Sequence, residues 1–135
     1  MNGMLKNSKT FIKKLSRREQ KHRQLIKDRK CAKHGEFFFA EFLISNGEIR
    51  KSPVFVLSNA NDANDDDVVI CSCTTSPPRT NFDIPYKLKY NTYIRTNKIY
   101  TVHRDNLHFK IGIVDFSADK YKEIVTHIKF ALDLH

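Results

Sequence analysis

Apolar residues change their spacing twice along this chain of 135 residues. Over residues 4–33 they are sparse, with Leu5, Ile12, Leu15 and Ile26 set among Lys, Arg, Gln and Glu. Those polar residues are good helix formers, so the segment reads as a helix with a narrow apolar stripe that needs a partner for stability. From Glu36 the pattern turns dense and aromatic. Phe37-Phe-Phe-Ala-Glu-Phe-Leu-Ile44 predicts a strand, and Asn46-Gly47 predicts the hairpin turn after it. Pro53–Ser58 and Asp67–Thr74 predict two more strands around a turn-rich loop, Asn59–Asp66, and Pro77-Pro78 ends the second of them. Asn81–Ile84, Tyr93–Arg95, Lys98–Val102 and Phe109–Val114 are further short β-like runs. Close, regular spacing of short strands points to a small barrel or sandwich. Ser117 then offers a helix cap, and Tyr121, Ile124, Val125, Ile128 and Leu132 follow at helical spacing.

Charge divides the chain at the place where the apolar period changes. Residues 1–33 hold twelve Lys or Arg and two acids, a net +10, whereas residues 34–135 hold twelve basic and thirteen acidic residues, a net −1. The expected organisation is therefore a basic helical arm, 1–33, on a nearly neutral β domain, 34–135. Such an arm attracts polyanions, of which nucleic acid is the commonest in a cytoplasm. No apolar run reaches bilayer-spanning length, and the charged N-terminus lacks the apolar stretch of a secretory signal, so no membrane is expected. Cys31, Cys71 and Cys73 are odd in number, and the last two share one face of a predicted strand. Reduced thiols in a core fit better than a disulfide or, with His34, a zinc site.

The acidic loop Asp62, Asp65, Asp66, Asp67 lacks the ligand spacing of a calcium loop and reads as a solvated turn. Two groups of residues carry phosphate-type chemistry. Thr74 and Thr75 end one strand, and a threonine hydroxyl can donate to a non-bridging oxygen. Arg95, followed by Asn97 and Lys98, lies in another, and an arginine can hold a phosphate bidentately and stabilise its transition-state charge. His103 is a candidate general base by residue type alone.

Four segments in order carry a resemblance. They are His34-Gly-Glu-Phe-Phe-Phe-Ala, Pro53-Val-Phe-Val-Leu-Ser-Asn, Val68-Val-Ile-Cys-Ser-Cys-Thr-Thr and Ile94-Arg-Thr-Asn-Lys-Ile-Tyr-Thr-Val, followed by Ile111-Gly-Ile-Val and the final helix. Over residues 34–132 this order resembles the PemK/MazF (Kid-like) family of toxin endoribonucleases. The resemblance implies a mainly β fold, a small SH3-like β-barrel with a C-terminal helix, here extended by the basic helical arm. It also implies a homodimer that cleaves single-stranded RNA without metal or other cofactor. A cognate antitoxin laid across the dimer groove blocks such a protein. Carried over by position, Arg95 falls on the catalytic arginine of the Kid-like branch. Thr74 falls on the hydroxyl position, with Thr75 beside it. Arg50 and Lys51 lie near the arginine that usually precedes the proline, where this chain has Ser52. Asn97 stands at the Kid-like aspartate, and Tyr100 at the arginine of an Arg-Thr pair.

The expectation is then the toxin of a type II toxin–antitoxin system, a cytoplasmic, metal-independent endoribonuclease. Its catalytic residues would be Arg95, Thr74 and Arg50, with RNA contacts from Lys51, Thr75, Arg79, Asn97 and Lys98. The substrate 2′-hydroxyl would attack the adjacent phosphorus, so DNA should resist. The alternative on the same fold is a non-catalytic RNA-binding or regulatory protein, to which Ser52 and Asn97 point. A topoisomerase-directed toxin is a third reading.

Overall fold

A computed structural model describes residues 16–59 and 65–134. In chain order these form α1 (Arg17–Lys30), β1 (Glu36–Leu43), β2 (Ile49–Val56), β3 (Asp67–Thr74), β4 (Asp83–Lys87) and β5 (Asn91–His103). A 3-10 turn (Arg104–Asn106), β6 (Leu107–Ile113) and α2 (Asp119–Ala131) follow. The six strands make one antiparallel sheet in the order β4-β5-β3-β2-β1-β6. No ladder joins β4 to β6, so the sheet is open. It is nevertheless curled. Leu88, just after β4, and Ile111 of β6 pack on the same apolar cluster. A Cβ placed on Gly112 would sit 3.7 Å from the Leu88 side chain.

The aromatic run of β1 is continuous because the sheet is buried on both faces. Alternate side chains point to opposite faces of a strand. Phe38, Ala40 and Phe42 enter one cluster with Val54, Val56, Val68, Ile70 and Leu107. Phe37 enters the other, with Phe55, Cys71, Cys73, Ile84, Ile94 and Ile124 of α2. Cys71 and Cys73 are free buried thiols, as the core reading expected. Burial pushes the Cys71 thiol up to about 12 and the Cys73 thiol well above the usual range. Gly35 is required where it stands: its φ is +92°, and Phe116 fills the space a side chain would need.

Several element limits differ from the pattern. β2 begins at Ile49, not Pro53, because Leu43 pairs with Ile49 across the Asn46-Gly47 turn. Arg50 and Lys51 carry no apolar signal there. Pro53 is tolerated because β3 pairs only with Val54–Val56, leaving one side of the strand free at the proline. The two runs Tyr93–Arg95 and Lys98–Val102 are one strand, β5. The register against β3 slips between them: Ile99 faces Cys71, but Ile94 faces Cys73. The polar Thr96-Asn97-Lys98 stretch that looked like a break is this irregularity.

Ser117 is not the cap of α2. Ala118 holds that position without a side-chain bond, and the Ser117 hydroxyl donates to Asp115 Oδ1 at 2.6 Å. In α1, Ser16 Oγ accepts from the Glu19 amide at 3.1 Å. The rest of the expected arm helix, with Leu5, Ile12 and Leu15, lies outside the described residues, as does Asp62.

The apolar stripe does not hold α1 in place. No α1 residue is buried, and Ile26 is exposed. Polar contacts fix it instead. The Arg29 guanidinium donates to the His108 carbonyl at 3.1 and 3.2 Å. Arg104, itself buried, donates to the Ala32 and Arg29 carbonyls at 2.9 and 3.3 Å. A cation at a helix C-terminus also meets the negative end of the helix dipole.

Candidate nucleic-acid interface

A cleft of about 550 Å³ opens where β2, the end of β3, the β4–β5 turn and β6 meet. Alternation along β2 puts Arg50 and Ser52 on the face of Ala40 and Phe42, and Lys51 and Pro53 on the face of Phe39; β3 pairs with β2 only at Val54–Val56, and beyond that point residues of both faces line the cleft. Ser52, at the position where the resemblance expects arginine, is buried, and its hydroxyl donates to the Pro53 carbonyl at 3.1 Å. Arg50 brings a guanidinium into the same cleft from two residues earlier. Its Nε is buried and has no hydrogen-bond partner among the described residues. Its charge lies close enough to Cys73 to draw that thiol down against the effect of burial. A buried, unpartnered guanidinium N–H is costly, and an anion in the cleft would satisfy it.

Thr74 and Thr75, at the end of β3, line the same cleft. Thr74 Oγ1 accepts from the Ser76 amide at 3.1 Å, which leaves its hydroxyl hydrogen to donate. Lys51 Nζ stands 3.4 Å from Glu41 Oε1, with the two side chains 66% and 38% exposed. Such a pair contributes little, about 0.2–1 kcal/mol, and exchanges readily for another anion.

The walls are aromatic. Phe39 and Phe109 stack with centroids 5.5 Å apart and planes 12° apart, and Phe109 is 49% exposed. Tyr90 is also exposed at the rim, beside Lys89. An exposed ring in one cleft with an arginine and hydroxyls can stack a base while its phosphate is held. Phe39, Phe109, Tyr90 and Lys89 do not stand out in the sequence. The alternation of β1 carries part of the signal, since Phe39 faces away from Phe38 and Ala40. Nothing in sequence spacing brings β6 beside it.

Arg95 does not line this cleft. Its side chain is 13% exposed, with Nε 3.5 Å from Asp83 Oδ1, which is fully buried. The two atoms are an ion pair outside hydrogen-bond geometry. Asp83 Oδ2 accepts from the Arg79 amide at 2.9 Å. The structure thus brings Arg50, Lys51, Thr74 and Thr75 together, and leaves Arg95, Arg79, Asn97 and Lys98 outside the cleft. His103 caps the 3-10 turn, its Nδ1 accepting from the Asp105 amide at 3.0 Å, and it too stands outside. Tyr100 packs its ring on Phe42, with centroids 5.1 Å apart.

Among the described residues, no His, Cys, Asp and Glu cluster could hold a metal. No described helix is long and apolar enough to cross a membrane.

No family model and no curated protein matches the sequence. Solved structures do. An endoribonuclease from mycobacterial species superposes with a TM-score of 0.64 at 20% identity, over 77% of this chain and 93% of that one. MazF from Deinococcus radiodurans gives 0.64 at 15% identity, over 77% and 98%. A mycobacterial endoribonuclease in complex with its cognate antitoxin gives 0.61 at 20% identity, over 78% and 96%. Over about three quarters of its length the chain has the fold of these MazF-like structures.

Proposed function

We propose that this chain is a MazF-type toxin endoribonuclease, acting in the cytoplasm as a homodimer and held inactive by a cognate antitoxin. The likeness to MazF and to an antitoxin-bound endoribonuclease supports the reading. On it, the curled sheet is a small SH3-like barrel. The observation that carries the reading is the cleft itself. A buried Arg50 Nε without a partner among the described residues shares the cleft with two threonines and exposed aromatic rings.

In this site a single-stranded RNA stacks a base near Phe109, and the neighbouring phosphate lies against Arg50. The substrate 2′-hydroxyl attacks phosphorus and gives its proton to solvent water, the new P–O2′ bond forms, the P–O5′ bond breaks, and the leaving O5′ takes a proton from water. Arg50 stabilises the charge that develops on the non-bridging oxygens, Lys51 adds a second positive charge, and Thr74 orients one oxygen. Thr75 contacts the backbone beside it. Arg95 enters by resemblance as a further catalytic candidate, with Arg79, Asn97 and Lys98 as outer RNA contacts. None of the chemistry calls on a metal.

Purified protein with single-stranded RNA and sequence-matched DNA, in chelator, tests the proposal. RNA cleaved and DNA intact is the expected result. Cleavage of both, or none without added metal, overturns it. One observation favours the alternative, a non-catalytic RNA-binding protein: among the described residues no carboxylate or histidine lines the cleft to take the 2′ proton. Binding of the same RNA without cleavage would establish that version.

A further inference from the structure

We infer that α1 is a second phosphate-binding surface, which takes the RNA backbone flanking the nucleotide held at Arg50; the inference rests on the RNA reading above. α1 carries seven basic residues and two acids, whereas residues 34–135 together have a net charge of −1. Phosphate attraction beyond the cleft must therefore come chiefly from residues 1–33, and this helix holds half of their net +10.

Its charge is arranged rather than scattered. Leu25 and Arg29 are half-buried on the side toward the sheet. Arg23, Lys27 and Lys30, at i, i+4 and i+7, are exposed on another face, with Lys30 at its edge beside a hollow it shares with Asp66 and Asp105. Among the described residues none of the three has an ion pair. Asp28 Oδ1 instead accepts from Gln24 Nε2 at 2.8 Å. Three cations on one face with no ion pair among the described residues are held close together at a cost in mutual repulsion, which a polyanion relieves.

The helix is also tied to the cleft. Arg29 grips the carbonyl of His108, and the next residue, Phe109, is a wall of the cleft. The His108 ring lies 3.7 Å from Glu41, which is 3.4 Å from Lys51 of the cleft. Arg104 and the buried Ala32 fix the helix end to the body, so α1 is a positioned surface and not a loose tail. Its 14 residues span about 21 Å, long enough for several successive phosphates.

The test measures RNA affinity against salt with 2′-O-methylated, hence uncleavable, strands of about 5 and about 20 nucleotides. The protein is the full chain and its Arg23→Gln/Lys27→Gln/Lys30→Gln variant. All three side chains are exposed, and unchanged circular dichroism and melting confirm the variant's fold. For a single strand, each phosphate left without its cation lowers the log–log salt slope by about 0.7, so the longer strand should lose about 2 units of slope and roughly tenfold in affinity. Binding of the short strand should not change. An Arg23→Lys/Lys27→Arg/Lys30→Arg variant, which keeps the charge, should bind the longer strand as wild type does. An unchanged slope on the longer strand overturns the inference. So does loss of poly-glutamate binding with RNA binding intact, which would make α1 a seat for an acidic protein. Failure of the cleft reading shows separately, as a short strand that binds Arg50→Ala as tightly as wild type. Deleting residues 1–33 is a poor substitute, because it removes Ala32 from the core and two carbonyl acceptors from Arg104.

Discussion

Arg50 and Arg95 carry the same guanidinium into opposite circumstances. Arg95 sits across β4 and β5 from Asp83, both nearly excluded from water, each answering the other's charge. Arg50 lines an open cleft with a buried Nε that nothing among the described residues satisfies. An arginine paired with a buried carboxylate holds a sheet corner together. On the function proposed, one without a partner, in a cleft with hydroxyls and exposed rings, is the one left to hold a phosphate. The difference teaches that environment, and not residue type, decides which arginine is available for chemistry.

The largest effect expected from that contrast is on stability. Arg95→Ala leaves the Asp83 carboxylate buried without its cation and should lower the unfolding free energy by on the order of 3 kcal/mol. Urea denaturation reads this directly. A variant as stable as wild type would show that the Arg95–Asp83 pair holds nothing together. The same protein, kept folded at low temperature, also tests the assignment carried by resemblance: an RNA cleavage rate equal to wild type removes Arg95 from the catalytic set.

On the other side of the comparison, Phe109→Ala should weaken single-stranded RNA binding by about 1–3 kcal/mol, the usual loss for one stacked base. Melting should barely move, since the ring is half in water. Equal binding by the two proteins would remove the stacking wall from the site.

The smallest effect lies far from either arginine. Hydrogen bonds from the Ser117 hydroxyl and amide hold the Asp115 carboxyl below the usual carboxylate range. Their contribution to the turn before α2 is full above the unfolded value and is lost as pH falls through the depressed folded value. Ser117→Ala should move the Asp115 titration upward, seen by NMR. A titration left in place would mean that the hydroxyl does not set it.

Much of the fold is legible in the pattern of the chain. The pattern predicts β3 with the limits it has, the Asn46-Gly47 hairpin is where expected, and Ile124 of α2 is buried at its predicted spacing. Errors gather where long-range register decides. The pattern splits β5 because its polar middle slips against β3, and it misses the start of β2 because Arg50 and Lys51 are polar on a strand end. The cleft is half legible. Thr74, Thr75, Arg50 and Lys51 stand out in the sequence and do converge. Which partner Arg95 meets is not legible, because Asp83 is brought opposite it only by the β4–β5 register. The aromatic wall is hidden for a similar reason: Phe39 and Phe109 are far apart in sequence and meet only because β1 pairs with β6.

Single-turnover cleavage of one single-stranded RNA, in chelator, by wild type and Arg50→Ala tests the account most directly. If Arg50 stabilises the phosphoryl transition state, the variant should cleave about 10²–10³ times more slowly while melting like wild type. A cleavage rate within about threefold of wild type would mean that Arg50 supplies less than about 1 kcal/mol to the barrier, and would contradict the account.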